Sequence, residues 1–361
     1  MNKRISIVGS NGIPSNYGGF ETLVEFIVKN KSERVDYTVY CSKKKYKTLK
    51  KHHNGAKLEY INLNANGYQS IFYDIISIVK SLKKSDIILI LGVSGCIILP
   101  FIRLFSKCKI ITNVDGIEWK RNKWNFFVKL FLKLSETFAV LFSNAIVVDS
   151  LVLKKYISDY YSKSSEFISY GGDHTSKIAI NKSILKKYNF LRDDYYLTVC
   201  RIVPENNIEM IIDSFVESKK NLVIVGNWKS SKYSKKLLTK YERFSNISMV
   251  NPIYDLTELD VIRSNCKAYI HGHSAGGTNP SLVEAMFLGS PIFAFDVDFN
   301  RSTTHSKAIF FSTSKDLTNQ INNISVHNLS KISENMKKIA NKNYRWSNIS
   351  NLYENLFFSI S

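Results

Sequence analysis

The sequence predicts an α/β protein built from two doubly wound parallel sheets in series, and three observations carry that prediction. Short apolar runs of strand length alternate with segments of helical period along most of the chain, the pattern of a parallel sheet covered by helices on both faces. The alternation lapses over residues 174–194, which are polar and basic, and then begins again. In both halves the polar and glycine-rich candidates fall just after apolar runs, where doubly wound sheets hold ligands. At 361 residues the chain is long enough for two domains, each with its own core.

The first domain is expected over residues 1–174. Residues 5–8 read as a buried strand, residues 9–21 (GSNGIPSNYGGFE) as a glycine-rich loop, and LVEFIVKN as an amphipathic helix. The loop lacks GxGxxG spacing but brings the pair Gly18 and Gly19 to the helix entrance. Bare backbone there either admits a ligand or makes a tight turn, and Glu21 is the first ionisable side chain after it. A strand over 36–42, a basic run over 43–51 and a strand over 58–63 follow. Residues 68–82 are helical by period, with Ile71, Ile75, Ile78, Val79 and Leu82 on one side. Then come a strand (86–92), a helix (97–105), a strand (109–116) ending in Asp115, a strand (143–148), a helix near 150–160 and an extended end at 166–172.

Residues 117–140 interleave Trp119, Trp124, Phe126, Phe127, Phe131 and Phe138 with Lys120, Arg121, Lys123, Lys129 and Lys133. A basic aromatic helix of this kind lies on an anionic bilayer, or it is a core helix whose lysines snorkel outward. The first reading is taken for 119–133 and the second for the remainder.

The second domain is expected over residues 175–342. Its strands are read at 195–201, 221–227, 247–254, 268–270 and 292–297, with helices at NIEMIIDSFVES, 233–244 and LTELDVIRSN. Arg201 and Asn227 end two of the strands. The tail, 343–361, reads as a helix rich in aromatics (Tyr344, Trp346, Tyr353, Phe357, Phe358) and able to cross back to the first domain.

The stretch AYIHGHSAGGTNPSLVEAMFLG, 268–289, is the one the rest is organised around. It reads as strand, a loop bared by Gly272, Gly276 and Gly277, and a helix capped by Thr278 or Asn279 with Pro280 in its first turn. Gly289 and Pro291 close the helix. Glycine backbone at a helix N-terminus favours an anion. Glu284, about one turn in, would repel a phosphate but suits sugar hydroxyls. Phosphates on the loop and a ribose on Glu284 together describe a nucleoside diphosphate; the alternative is an ordinary capped loop with a surface glutamate.

Composition narrows the classes. Hydrophobic content of 44% with 22% charged residues is that of a soluble globular protein. The longest apolar candidate, 87–105, is broken by Gly92, Gly95, Pro100 and Arg103, so no membrane span is expected. The first residues read as a strand rather than a signal peptide, which predicts a cytoplasmic chain. Five cysteines without a CxxC pair make neither a zinc site nor a disulfide framework. His271 and His273 lack a third ligand nearby, so no metal is expected. The net charge of +20 suits an anionic substrate, an anionic membrane face or nucleic acid. The basic residues are dispersed and no nucleic-acid module is present, which sets the last of these aside.

The segments IVGSNGIPSNYGGFET, NVDGIEWKRNKW, CRIVPENNIEM, IVGNW and HGHSAGGTNPSLVEAM, in that order, resemble the GT-B glycosyltransferases of the large retaining class that contains bacterial mannosyl- and glucosyltransferases. More narrowly they resemble the branch of bacterial polysaccharide (capsule and O-antigen) rhamnosyltransferases. The resemblance spans both domains. It implies two Rossmann-like domains facing across a cleft and transfer of L-rhamnose from dTDP-L-rhamnose, with retention, to a lipid-linked saccharide. It also implies peripheral attachment to the inner face of the cell membrane and no metal or other cofactor.

By the same resemblance, Glu284 binds the ribose hydroxyls, and Gly276, Gly277, Thr278 and Asn279 line the diphosphate and donor sugar. Arg201 neutralises the leaving diphosphate, the region of Ile253 edges the base, and Asn206 and Asn227 belong to the donor side. Gly18 and Gly19 approach the phosphates, and Glu21 and Asp115 face the acceptor or the donor sugar. Three departures are visible. Gly276 stands where the class has a glutamate, Asn206 where it commonly has a lysine, and Asp115 where it has a histidine. Loss of a carboxylate and a cation at the donor fits a sugar without a hydroxyl at carbon six. Catalysis is then expected to rest on stabilising the departing diphosphate, with Asp115 as base or as a group orienting the acceptor. The competing readings are another UDP- or GDP-sugar donor, a non-catalytic sugar-nucleotide binder, and a sugar epimerase or phosphorylase of the same shape.

Overall fold

Ile87–Leu91 is apolar at every position and buried at every position, as a parallel strand covered on both faces must be. Runs of this kind set the framework of a computed structural model that describes residues 2–15, 18–121 and 124–360. The chain divides into two units, Met1–Tyr170 with Trp346–Ser361, and Gly171–Arg345.

The first unit contains β1 (Lys3–Val8), α1 (Gly19–Lys29), β2 (Val35–Ser42), β3 (His52–His53), β4 (Ala56–Ile61), α2 (Gln69–Ser81), β5 (Ile87–Leu91), α3 (Leu99–Phe105), β6 (Lys109–Val114), α4 (Phe126–Phe142), β7 (Ala145–Val148), α5 (Leu151–Tyr161) and β8 (Glu166–Phe167). The strands lie in the order β3-β4-β2-β1-β5-β6-β7-β8, and among the described residues only the β3–β4 pair is antiparallel. Winding reverses between β1 and β5, so their carboxyl ends bound a crevice.

The second unit contains α6 (Lys182–Lys187), β9 (Tyr196–Val199), α7 (Ile208–Ser218), β10 (Leu222–Val225), α8 (Lys232–Tyr241), β11 (Ile247–Val250), α9 (Leu256–Ser264), β12 (Ala268–His271), α10 (Pro280–Leu288), β13 (Ile292–Phe295), α11 (Asp298–Thr303), β14 (Ile309–Phe311), α12 (Ser314–Asn323) and α13 (Val326–Asn343). Its sheet is parallel, in the order β11-β10-β9-β12-β13-β14, with the reversal between β9 and β12. The last helix, α14 (Trp346–Ser359), belongs to the first unit. Its Trp346 ring stacks on Phe26 of α1 at 4.8 Å, and its Tyr353 hydroxyl accepts from Asn113 Nδ2 of β6 at 2.7 Å.

Several strands stop short of the sequence expectation. The run at 247–254 is a strand only to Val250, because Pro252 has no N–H for the ladder. The run at 166–172 keeps two strand residues, and the run at 292–297 keeps four. The basic run 43–51 is followed by β3, a short pairing that no apolar pattern announces. Sequence reading left 298–342 unassigned, and it contains α11, β14, α12 and α13.

Helix α2 departs most from its apolar stripe. Of the five residues expected on its inner side, only Ile78 is buried, while Val79 is exposed. The buried line is Tyr73, Asp74, Ser77, Ile78 and Ser81. Polar side chains are tolerated there because each is bonded. The Tyr73 hydroxyl donates to the Ser10 and Tyr40 carbonyls at 2.9 and 2.8 Å, and the Ser94 hydroxyl donates to Asp74 at 2.6 Å. In helix α4, Ser135, Glu136, Ala139 and Val140 are buried, whereas Phe126, Phe127 and Leu130 in its first turns, and Leu134 and Leu141 further on, are exposed. Trp119 turns inward, donating from Nε1 to Glu136 at 3.2 Å. Lys123 of the basic aromatic stretch lies outside the described residues.

Burial pushes the Asp74 carboxyl up to about 7 from an ordinary 3.8. Between those values the unfolded chain has lost the proton that the folded protein keeps, so this site's stability, full below about pH 4, is lost as pH rises to 7. Asp74→Asn keeps an acceptor for Ser94 and removes the charge. It should flatten that decline and be more stable than the parent at pH 8, measured by urea unfolding at pH 5 and pH 8. An equal pH dependence in both proteins would contradict the assignment.

Candidate active site

In the second unit the site is built by two loops that leave adjacent strands in opposite winding directions. Residues 200–207 follow β9 and residues 272–279 follow β12. The loops are stitched together. Asn207 Nδ2 donates to the Gly272 carbonyl at 2.8 Å, and the Ser274 amide and hydroxyl both donate to the Glu205 carbonyl at 2.8 and 2.9 Å. Gly272 cannot carry a side chain, since a Cβ would lie 2.2 Å from the Asn206 carbonyl oxygen. Asn206 is 5% exposed, donates to the Arg201 carbonyl at 2.6 Å and pairs its Oδ1 with His273 Nδ1 at 2.7 Å. Its amide therefore braces the two loops rather than standing open toward the donor side. Arg201 is the exposed cation at this strand end, with its backbone carbonyl held by Asn206 and Val203.

Gly276 adopts φ +115°, a conformation that favours glycine, and Gly277 continues the bared loop. Thr278 is buried. Asn279 is the N-cap of α10, accepting from the Ser281 amide at 3.0 Å and the Ser281 hydroxyl at 2.8 Å. The Asn279 carbonyl also takes the Leu282 and Val283 amides. The Ser281, Leu282 and Val283 amides are thus taken by Asn279 rather than left for an anion. An anion would meet the loop backbone at 276–279 and the helix dipole instead. Asn227, after β10, is exposed and accepts from the Lys229 amide at 3.1 Å. Ile253, past β11, is half-buried and packs on the second unit's core.

Glu284 is not a surface glutamate. It is 8% exposed, with Oε2 on Arg263 Nη2 of α9 and Oε1 3.1 Å from His174 Nε2. Burial alone would push this carboxyl up, but the Arg263 guanidinium and His174 hold it below the ordinary carboxylate range. Asp260, one turn before Arg263, lies 3.6 Å from the guanidinium and accepts from the Ser176 amide at 2.8 Å. Sequence reading missed this group. The available signal was an Asp–Arg pair three residues apart in LTELDVIRS, on the same side as the apolar Leu259 and Ile262.

In the first unit the loop 9–21 leaves β1 at the point where winding reverses. A Cβ on Gly9 would lie 2.2 Å from the Leu91 carbonyl oxygen, so the loop starts pressed against the end of β5. Gly18 has φ +134° and caps α1, which begins at Gly19. Glu21 is 8% exposed and curls back over Gly18, accepting from the Asn11 amide and Asn11 Nδ2 at 2.7 and 2.8 Å. One of its oxygens thus braces the loop, whereas the resemblance implies a carboxylate facing the acceptor or the donor sugar. Asp115 is half-buried just past β6.

His271 is buried, and burial pushes its imidazole down to about 3. Among the described residues no group of three or more His, Cys, Asp or Glu side chains is placed to hold a metal ion.

Residues 181–343 match the family described as Glycosyl transferases group 1, so the second unit carries a glycosyltransferase domain of that group. Residues 2–173 match a family described as Domain of unknown function (DUF1972). A comparison with curated proteins by sequence gave no match. Among solved structures, the chain is similar to sucrose-phosphate synthase from Thermosynechococcus elongatus (15% identity over 99% of this chain and 100% of that one, TM-score 0.78). It is similar to Anabaena HepE in complex with UDP-glucose (14% identity, 98% and 99% covered, TM-score 0.75) and to trehalose-6-phosphate synthase OtsA (10% identity, 99% of each chain, TM-score 0.74). At these identities the likeness establishes the fold, two Rossmann-like sheets of the GT-B kind.

Glu284→Ala would leave the Arg263 guanidinium buried with only Asp260 beside it. It should cost about 3 kcal/mol of stability, the low end for breaking a buried pair. Urea unfolding of this variant beside the parent checks this, and a Glu284→Ala protein as stable as the parent would contradict the pairing.

Proposed function

We propose that this chain transfers a sugar, with retention, from a nucleoside-diphosphate donor to a lipid-linked saccharide of a cell-surface polysaccharide, with dTDP-L-rhamnose as the donor. The group 1 glycosyltransferase domain supplies the reaction class. The observation that carries the reading is the exposed Arg201 beside the glycine loop 272–279, with the charged Glu284 one turn further on, all at the carboxyl end of the β9–β12 switch point.

Each group then has a role. The bond from the anomeric carbon to the diphosphate oxygen breaks, and negative charge grows on that oxygen. Arg201, the loop backbone at 276–279 and the α10 dipole stabilise it. The acceptor hydroxyl attacks from the same face, and its proton passes to the departing phosphate. Glu284 accepts hydrogen bonds from the nucleoside sugar. Asp115, the half-buried carboxylate past β6, orients the acceptor hydroxyl. The glycine at 276 offers no side-chain partner to the sugar, which suits a donor lacking the hydroxyl at carbon six. A UDP-sugar donor is the second reading, favoured by the UDP-glucose held by HepE, whose fold this chain shares.

An anionic membrane surface is proposed as the place of reaction. Phe101 and Phe105 of α3 are 64% and 87% exposed, and Phe126 and Phe127 of α4 are 73% and 78% exposed. The carboxylates of α2 and α4, Asp74 and Glu136, are buried, whereas Lys80 is exposed and Lys129 and Lys133 are half-buried. Apolar rings beside lysines suit an anionic interface. No helix among the described residues is long and apolar enough to cross a membrane.

Arg201→Ala should lower kcat by about a hundredfold or more in a sugar-transfer assay. Its side chain is exposed, so melting should stay within a degree or two of the parent. Turnover near the parent's would sink the role given to Arg201. Phe126→Asp with Phe127→Asp should release the protein from phosphatidylglycerol vesicles in co-sedimentation, as should raised salt. Undiminished binding by that variant would move the membrane contact elsewhere.

A further inference from the structure

The segment that opens the second unit, 171–178, lies on α9 and α10 through a series of fixed contacts. Gly172 is bare because it must be: a Cβ there would sit 2.8 Å from the Phe287 ring and 2.9 Å from Val283 Cγ1, both on α10. Its amide donates to the Tyr344 carbonyl at 2.9 Å. The Thr175 amide and hydroxyl both donate back to the Gly172 carbonyl, at 3.2 and 2.9 Å, closing a turn over 172–175. Beyond it the Ser176 amide donates to Asp260, the Ile178 amide to Ser264 Oγ, and Asn265 Nδ2 to the Ile178 carbonyl. This stapling places His174, the third residue of the turn, with Nε2 on Glu284 Oε1.

The carboxylate is therefore gripped from two sides by groups of different origin. Arg263 comes from the last turn of α9 and takes Oε2, and His174 comes from the turn and takes Oε1. The side chains of His174 and Arg263 are each 7% exposed, and that of Glu284 is 11% exposed, so the grip is buried. An ionised carboxylate accepts about four hydrogen bonds, so each oxygen keeps capacity for a ligand hydroxyl. An ungripped glutamate would have to freeze its side-chain torsions on each binding event.

We infer that His174 and Arg263 are positioning residues that hold Glu284 as a preset acceptor for the hydroxyls of the nucleoside sugar, so that discrimination against deoxy analogues depends on His174 as well as on Glu284. The inference rests on the role given to Glu284 above. It assigns no contact between His174 and the substrate.

The test is isothermal titration of the full-length protein with UDP, dTDP and GDP, followed by the 2′,3′-dideoxy analogue of the tightest binder. The parent should bind the dideoxy analogue roughly tenfold more weakly or worse, the loss expected for a charge-assisted hydrogen bond. In His174→Ala that ratio should fall to about two, while affinity for the dideoxy analogue itself stays within about twofold of the parent's. His174→Gln, whose amide donates from nearly the same place as Nε2, should restore the ratio. A merely structural histidine would weaken both nucleotides alike. His174→Leu, which fills the space without donating, replaces the alanine variant if that one melts early.

The outcomes separate. A parent ratio near one overturns the role of Glu284 and this inference with it. A large parent ratio that survives in His174→Ala overturns the inference alone. Binding of none of the three nucleotides to the folded parent overturns the donor reading and everything built on it.

Discussion

A carboxylate taken out of water stays charged only where the protein supplies its partners, and the second unit is arranged around one that is so supplied. Glu284 sits on α10 behind the glycine loop, with Arg263 and His174 on its two oxygens and Asp260 beside the guanidinium. Desolvating an ion costs several kcal/mol, and the return comes from close pairing and the remaining hydrogen bonds. Meeting that condition fixes the approach of α9 to α10 and draws residues 171–178 onto both helices. A charged acceptor is then ready next to a loop that suits phosphates. A solvent-exposed glutamate in the same place would hold neither its charge state nor its geometry so firmly.

The loops ahead of that carboxylate are rigid for a different reason, which is close backbone approach. Gly272 on the Asn206 carbonyl and Gly9 on the Leu91 carbonyl both allow strand ends to meet within distances that a side chain would forbid. At each point hydrogen bonds then take over, through Asn206, Asn207 and Ser274 in one unit and Glu21 with Asn11 in the other. Preset loops of this kind spend little entropy on binding and keep their dipoles aimed. Arg201 is the contrast. Its backbone is fixed and its side chain is exposed, which suits a cation that must meet charge appearing on a leaving group.

Much of the framework was legible because parallel strands announce themselves as continuous apolar runs, as in Ile87–Leu91 and Leu222–Val225. The α10 entrance was legible for a local reason, since Asn279, Pro280 and Gly289 are chemically suited to a cap, a first turn and a left-handed stop. What sequence could not show was which face a polar residue would take. The buried line of α2 runs through Asp74, Ser77 and Ser81, whose partners come from their own helix and from the loop after β5. Glu21, Asn206 and Glu284 were all visible as polar residues near strand ends. Their partners Asn11, His273, Arg263 and His174 lie 10, 67, 21 and 110 residues away, and only folding brings them together.

A nucleoside diphosphate bound at the switch point of the second unit would lie against the loops 201–207 and 272–279 and the start of α10. Amide hydrogen exchange, followed with and without saturating UDP or dTDP, tests it most directly. Exchange should slow in peptides covering 201–207 and 272–288, together with the turn at 172–178 that grips Glu284. Protection elsewhere in the second unit, with those peptides unchanged, would contradict it.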